Sequence, residues 1–133
     1  MRRALILLPV LLLAGCGGSS NNSSEETQTG GNVVQTIQIS EKEYSLTPST
    51  VNVSKTGTYE FEVKNVGQIT HAFKIEESEG GAEAESGHIE AGQTKTLRFT
   101  FSSDGSFEMY CPIPGHEDKG MKGTIVVGGS SGY

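Results

Sequence analysis

A thiol, an imidazole and a thioether fall within eleven residues of this chain. Cys111, His116 and Met121 stand in the stretch Tyr110-Cys111-Pro112-Ile113-Pro114-Gly115-His116-Glu117-Asp118-Lys119-Gly120-Met121, a Cys-x4-His-x4-Met spacing. These are soft and borderline donors, the set that suits copper. Zinc accepts Cys and His but seldom a thioether, and usually wants a fourth Cys, His or carboxylate. Calcium and magnesium want oxygen. A copper site built on one thiolate and two imidazoles needs a second His, and only His71 and His88 are available. His71 has the parity of Phe73 and Ile75, so it enters an apolar interior from one end. His88 sits between Gly87 and Ile89 beside an acidic run, which marks it as an exposed loop residue. The expected imidazole pair is His71, buried behind Phe73, and His116, the more exposed of the two.

The elements that hold these residues read as strands. Tyr59, Phe61 and Val63 alternate with Glu60, Glu62 and Lys64, between Gly57 and Asn65-Val66-Gly67. Leu97, Phe99 and Phe101 alternate with Thr96, Arg98 and Thr100, and Ser102-Ser103-Asp104-Gly105 turns the chain. Phe107, Met109 and Cys111 share a face of the next strand, and Ile125 and Val127 share one near the end. Weaker strand signals lie at Val33–Ile39, Tyr44–Thr47, Thr50–Val53 and His71–Ile75. About eight short strands between turns form an all-β pattern, a Greek-key β-sandwich, and several kinds of sandwich fit it, an immunoglobulin-like one included. The acidic stretch Glu76–Glu85 interrupts the strands and reads as a solvated loop with room for a helical turn.

The start of the chain is of another kind. MRRALILLPVLLLAGC opens with Arg2 and Arg3, and the apolar run Ala4–Ala14 is shorter than the ~20 residues that span a bilayer. Leu13-Ala14-Gly15-Cys16 resembles the lipobox of bacterial lipoproteins, so residues 1–15 read as a lipoprotein signal peptide and Cys16 as the lipidated residue. Gly17–Gly31 has no apolar residue to pack, so 16–31 reads as a lipidated Cys with a flexible tether reaching roughly 21 Å. The folded domain is then 32–129, and 130–133 a polar tail. With Cys16 lipidated, Cys111 is the one thiol left in an exported protein, and its neighbourhood favours a metal over a disulfide or an inert buried Cys.

The composition narrows the function. The 133 residues suit one domain, and 34% hydrophobic with 20% charged residues is too apolar for a disordered chain. Ten Lys and Arg against 16 Asp and Glu give a net charge of −6, a poor basis for nucleic-acid binding. Multicopper catalysis needs many more His than His71, His88 and His116.

Asn65-x-Gly67-x3-His71-x-Phe73, followed by Gly105-x-Phe107-x2-Tyr110-Cys111-x2-Pro114-Gly115-His116-x3-Gly120-Met121-x-Gly123-Thr124, resembles the cupredoxin (type 1, blue copper) family. The loop spacing is most similar to that of the auracyanin, rusticyanin and sulfocyanin branches. The resemblance covers Val33 to Gly128. It implies one copper ion, cycling between Cu(I) and Cu(II), held by His71, Cys111 and His116 with Met121 as a long axial ligand. It implies a one-electron carrier and not an enzyme, with the exposed edge of His116, ringed by Pro112, Ile113 and Pro114, as electron port and docking surface. The implied partners are redox proteins such as c-type cytochromes or membrane respiratory complexes, and a membrane through the lipid anchor. The implied setting is extracytoplasmic, on the outer face of the cytoplasmic membrane or the periplasmic side, with the protein a monomer. The residue after the first His, often Asn or Ser in the family, is here Ala72, which offers only its backbone. The other function class is a copper-binding protein for storage, delivery or resistance. Such proteins usually present Met- or His-rich clusters, whereas this chain has three Met and three His.

Overall fold

Alternating apolar residues give each strand one face to bury, and the strands pair so that those faces meet. The computed structural model describes residues 31–129, with nine strands and no helix among them. They are β1 (Val33–Lys42), β2 (Ser45–Thr47), β3 (Thr50–Val53), β4 (Gly57–Asn65), β5 (His71–Glu77), β6 (Glu83–Ile89), β7 (Thr94–Phe101), β8 (Gly105–Tyr110) and β9 (Lys122–Val127). One sheet has the order β2-β1-β4-β7 and the other β3-β9-β8-β5-β6. The pairs β1–β4 and β3–β9 are parallel and the rest antiparallel. The expected all-β sandwich is the fold. The signal peptide, Cys16, most of the tether and the tail lie outside the described residues.

The ninth strand is a correction. The acidic stretch Glu76–Glu85 is a hairpin and not a loop: β5 runs on to Glu77, and β6 returns from Glu83. The alternation is weak because β6 is the outer strand of its sheet, where only Ile89 is fully buried and polar residues face water. Glu76 and Glu83 stand directly opposite each other, an unfavourable pairing of like charges. Lys74 offsets it by reaching both carboxylates, at 3.3 and 2.9 Å.

The interior divides into two ends. Phe101 stacks edge-to-face against Tyr59, Phe61 and Phe107, which ties β4 and β7 to β8 across the sandwich. Each such ring contributes roughly 1.5–3 kcal/mol by its burial. The polar end is different. The buried polar residues among those described are Glu41, Asn65, His71 and His116, and they gather where β1 and β4 finish and β5 begins. Glu41 is paired in register with Asn65, and His71 with Ile89. A cluster of costly buried polar groups at one end is where a function is to be sought.

Candidate metal centre

Asn65 closes β4 and builds the turn that leads into the first imidazole. Its Nδ2 donates to the carbonyls of Ile69 (2.7 Å) and Ile89 (2.8 Å), and its Oδ1 accepts from Gly67 N–H (2.9 Å). Three bonds from one buried amide, each worth about 1 kcal/mol net, pin the turn to both sheets. The chain enters β5 at His71, which has 0% exposure and sits on the face of Phe73 and Ile75 as its parity requires.

The second ligand loop hangs between β8 and β9, whose last pair is Tyr110 with Lys122. Cys111 continues the inward parity of Phe107 and Met109 and is buried. Its N–H donates to the Met121 carbonyl (3.0 Å), and Met121 N–H donates to the His116 carbonyl (3.1 Å). Inside that frame His116 N–H reaches the Ile113 carbonyl (3.0 Å) and Lys119 N–H the His116 carbonyl (3.2 Å). Gly115 at φ 82° and Gly120 at φ 119° take the two conformations that a side chain would strain. Met121 ends the loop fully buried in the core.

These two segments bring three donors together. One donor atom from each of His71, Cys111 and His116 lies within 4.8 Å of the others, the single such group among the described residues. The two Nδ1 atoms face each other at 3.2 Å, and Cys111 Sγ is 3.5 Å from His116 Nδ1. Burial pushes the Cys111 thiol up, against N–H groups of Ile113 and Ala72 that favour the thiolate, the latter 3.4 Å from Sγ. The backbone N–H of Ala72 thus links the His71 and Cys111 segments. Burial, and then the neighbouring His71 and Lys119, lower the His116 pKa, so the imidazole is held neutral and able to donate a lone pair. His116 is 9% exposed against 0% for His71, the order expected from sequence. His88 is exposed on β6, opposite Ala72, outside the cluster.

A groove of about 630 Å³ lies beside His116, floored by Ile69, Pro112, Ile113 and Pro114. Glu85 and His88 line it from β6. Three further residues near the cluster went unread in the sequence: Glu41, Glu43 and Tyr44. Tyr44 packs edge-to-face on the His116 ring at 5.2 Å, and Glu43 Oε1 is 3.2 Å from His71 Nε2. Glu41 was signalled by its parity with Ile37 and Ile39, which places it inward. Burial raises its pKa to about 8.

Two buried imidazole nitrogens and a thiol sulfur at one point, with a thioether residue buried at the end of the same loop, are a donor set that fits copper. Known proteins agree. A Cupredoxin-like domain model matches residues 6–127. The copper-resistant cuproprotein CopI of Rubrivivax gelatinosus is 33% identical over 95 residues, 60% of this chain and 58% of that protein. CopI of Vibrio cholerae serotype O1 is 31% identical over 90 residues, 56% and 53% respectively. The chain thus spans somewhat over half the length of these relatives. Among solved structures, auracyanin B superposes with a TM-score of 0.65 at 14% identity, over 74% of this chain and 91% of that one. Auracyanin from Roseiflexus castenholzii gives 0.62 at 20%, over 72% and 98%. A blue copper oxidase from Nitrosomonas europaea gives 0.57 at 17%, over 70% of this chain and 38% of that one. At these identities the structures speak to the fold, while the family model spans the whole sandwich and the loop that carries Cys111, His116 and Met121. The chain belongs to the cupredoxin family, and its cofactor is a single copper ion.

Proposed function

We propose that the chain is a one-electron carrier of the cell envelope, not an enzyme, whose copper would be held by Nδ1 of His71, Nδ1 of His116, Sγ of Cys111 and the thioether of Met121. The observation that carries this reading is the convergence of three buried donors within 4.8 Å. With Met121 as fourth ligand the protein supplies every donor, so no position is left open for a substrate, unlike a catalytic metal. Bound there, copper supplies a one-electron couple. The part of the chain is to keep the donors still while the charge changes. Pro112 and Pro114 fix two φ angles, and paired strands hold both ends of the loop. Cys111 releases its proton when the metal enters, and its burial keeps the apo thiol protonated until then. The groove at His116 is small and partly apolar, which suits brief docking and fast release. A lipid on Cys16 belongs to the same proposal and holds the domain near its redox partners.

A second reading, copper resistance, is favoured by the two relatives of 33% and 31% identity that bear that name. The experiment is the visible spectrum and voltammetry of the copper-loaded protein, with Cys111→Ser beside it. A carrier shows intense thiolate-to-copper absorption and a reversible couple, and Cys111→Ser loses the colour while keeping a β-type circular dichroism spectrum. Unchanged absorption in the variant removes the ligand assignment. Rapid copper loss to a chelator without a reversible couple moves the function to resistance. For the anchor, an acyl mass on Cys16 is expected, and an unmodified N-terminus in a wholly soluble protein rejects it.

A further inference from the structure

The β1–β2 turn contributes none of the proposed ligands, yet its side chains touch both imidazoles. Glu43 stands at the tip of that turn, 28 positions from His71 in sequence. Its Oε1 accepts from Gln68 N–H at 2.7 Å and from Ile69 N–H at 2.8 Å, and faces His71 Nε2 at 3.2 Å. The carboxylate is 25% exposed, against 0% for the imidazole it meets. Gly67 leaves it room: a Cβ there would stand 2.5 Å from Oε1 and 2.8 Å from the carboxyl carbon. The glycine of the Asn65-x-Gly67 motif thus keeps a place for the carboxylate of another segment.

We propose that Glu43 is the positioning residue of His71, fixing its tautomer and ring orientation and placing a full negative charge behind the ligand. The reasoning is one of donors and acceptors. A carboxylate that already takes two backbone N–H groups is an acceptor only, so the Nε2 that faces it must carry the imidazole proton. Nδ1 then presents its lone pair toward His116 Nδ1 and Cys111 Sγ. The Gln68 and Ile69 N–H groups that donate to Oε1 favour the charged form of the Glu43 carboxyl, so it meets His71 as an anion. A carboxylate behind a ligating imidazole raises the ligand's basicity and favours the more highly charged metal. Selection for Cu(II) over Cu(I) is therefore the property that Glu43 sets. Tyr44, from the same turn, bounds His116 and carries Lys119 Nζ over its own ring at 4.5 Å, so one turn braces both imidazoles.

This inference rests on His71 being a ligand, and the test separates the two claims. In Glu43→Gln the oxygen that accepts from Gln68 and Ile69 is kept and the charge is lost. Chelator competition with each oxidation state should show Cu(II) affinity falling about 10-fold or more, with Cu(I) affinity changing less. A selective tenfold loss appears in voltammetry as a rise of about 59 mV. In the metal-free protein, the imidazole ¹⁵N shifts of His71 should report an Nε2–H tautomer that Glu43→Gln weakens and Glu43→Asp partly restores. Equal losses for both oxidation states, or an unchanged tautomer, overturn the positioning role. If His71→Ala keeps full Cu(II) affinity, the ligand reading fails instead.

Discussion

A carboxyl group on the inward face of β1, one alternation beyond Ile39 and opposite Asn65, has 0% exposure and no hydrogen-bond partner for either oxygen among the described residues. Ionised, it would carry an uncompensated charge into the sandwich, so the fold keeps Glu41 protonated and its pKa rises from 4.5 to about 8. The linkage has a definite sign. Between those two values the folded chain binds a proton that the unfolded chain has released, so stability is full below 4.5 and falls as pH rises. The slope is about 1.4 kcal/mol per pH unit, several kcal/mol across the window. Glu41→Gln keeps the shape and cannot ionise. Denaturant unfolding of the metal-free protein from pH 5 to 8 should show the wild type losing stability relative to the variant. Parallel curves for the two proteins would mean that Glu41 is hydrated or paired in solution. Residues of this kind are legible only in part. Parity marks Glu41 as inward, but a glutamate in a run of charges, Glu41-Lys42-Glu43, also reads as surface. Glu43 is less legible still, because its contact with His71 is made through space across 28 positions.

Elements were legible to the extent that one of their faces is buried and the other is not. β4, β8 and β9 alternate plainly because each has neighbours on both sides and a core beneath, and the outer strand β7 alternates because Phe99 and Phe101 reach that core. β6 is hidden because this outer strand buries only Ile89 and carries charge or polar groups along the rest of its length. The Cys111–Met121 loop was readable for another reason: its candidate ligands lie close in sequence, and they are of the types that suit copper. The parallel pairing of β3 with β9 rests on a small residue that periodicity does not explain. Gly123 lies at the start of β9, where a Cβ would collide with the Ser49 carbonyl and come within 2.7 Å of Met109 Cε. That carbonyl accepts from Thr124 N–H at 2.9 Å and begins the β3–β9 ladder. In Gly123→Ala, β3 must move off or Met109 must turn, an overpacking expected to destabilise the fold by about 1–3 kcal/mol. Gly123 is also two residues from Met121, the proposed fourth ligand, so a shift here would move that thioether as well. Chemical denaturation measures the first effect and the visible spectrum the second. A variant with wild-type midpoint and spectrum would show that β3 is free to slide.

At the scale of the whole molecule, charge decides which partners arrive and the groove decides where they dock. The chain carries −6, and the acidic hairpin β5–β6 borders the His116 groove through Glu85. Not all of that charge is available for steering, because Lys74 neutralises part of Glu76 and Glu83. What is left near the groove still favours cations, within the ~10 Å over which charge is felt at 0.1 M salt. If electrons leave through the edge of His116, small oxidants of opposite charge should answer salt in opposite ways. The growth of the copper absorption as the reduced protein is oxidised, followed by stopped flow, gives the rate for each. For a cationic metal complex the rate should fall about threefold or more as ionic strength rises from 0.01 to 0.5 M, since screening removes the attraction. For an anionic complex it should rise, since screening removes a repulsion. Glu85→Gln removes the carboxylate nearest the groove, so it should flatten both curves without moving the reduction potential. Curves that Glu85→Gln leaves unchanged would place the exit for electrons elsewhere on the surface, away from β6 and the edge of His116.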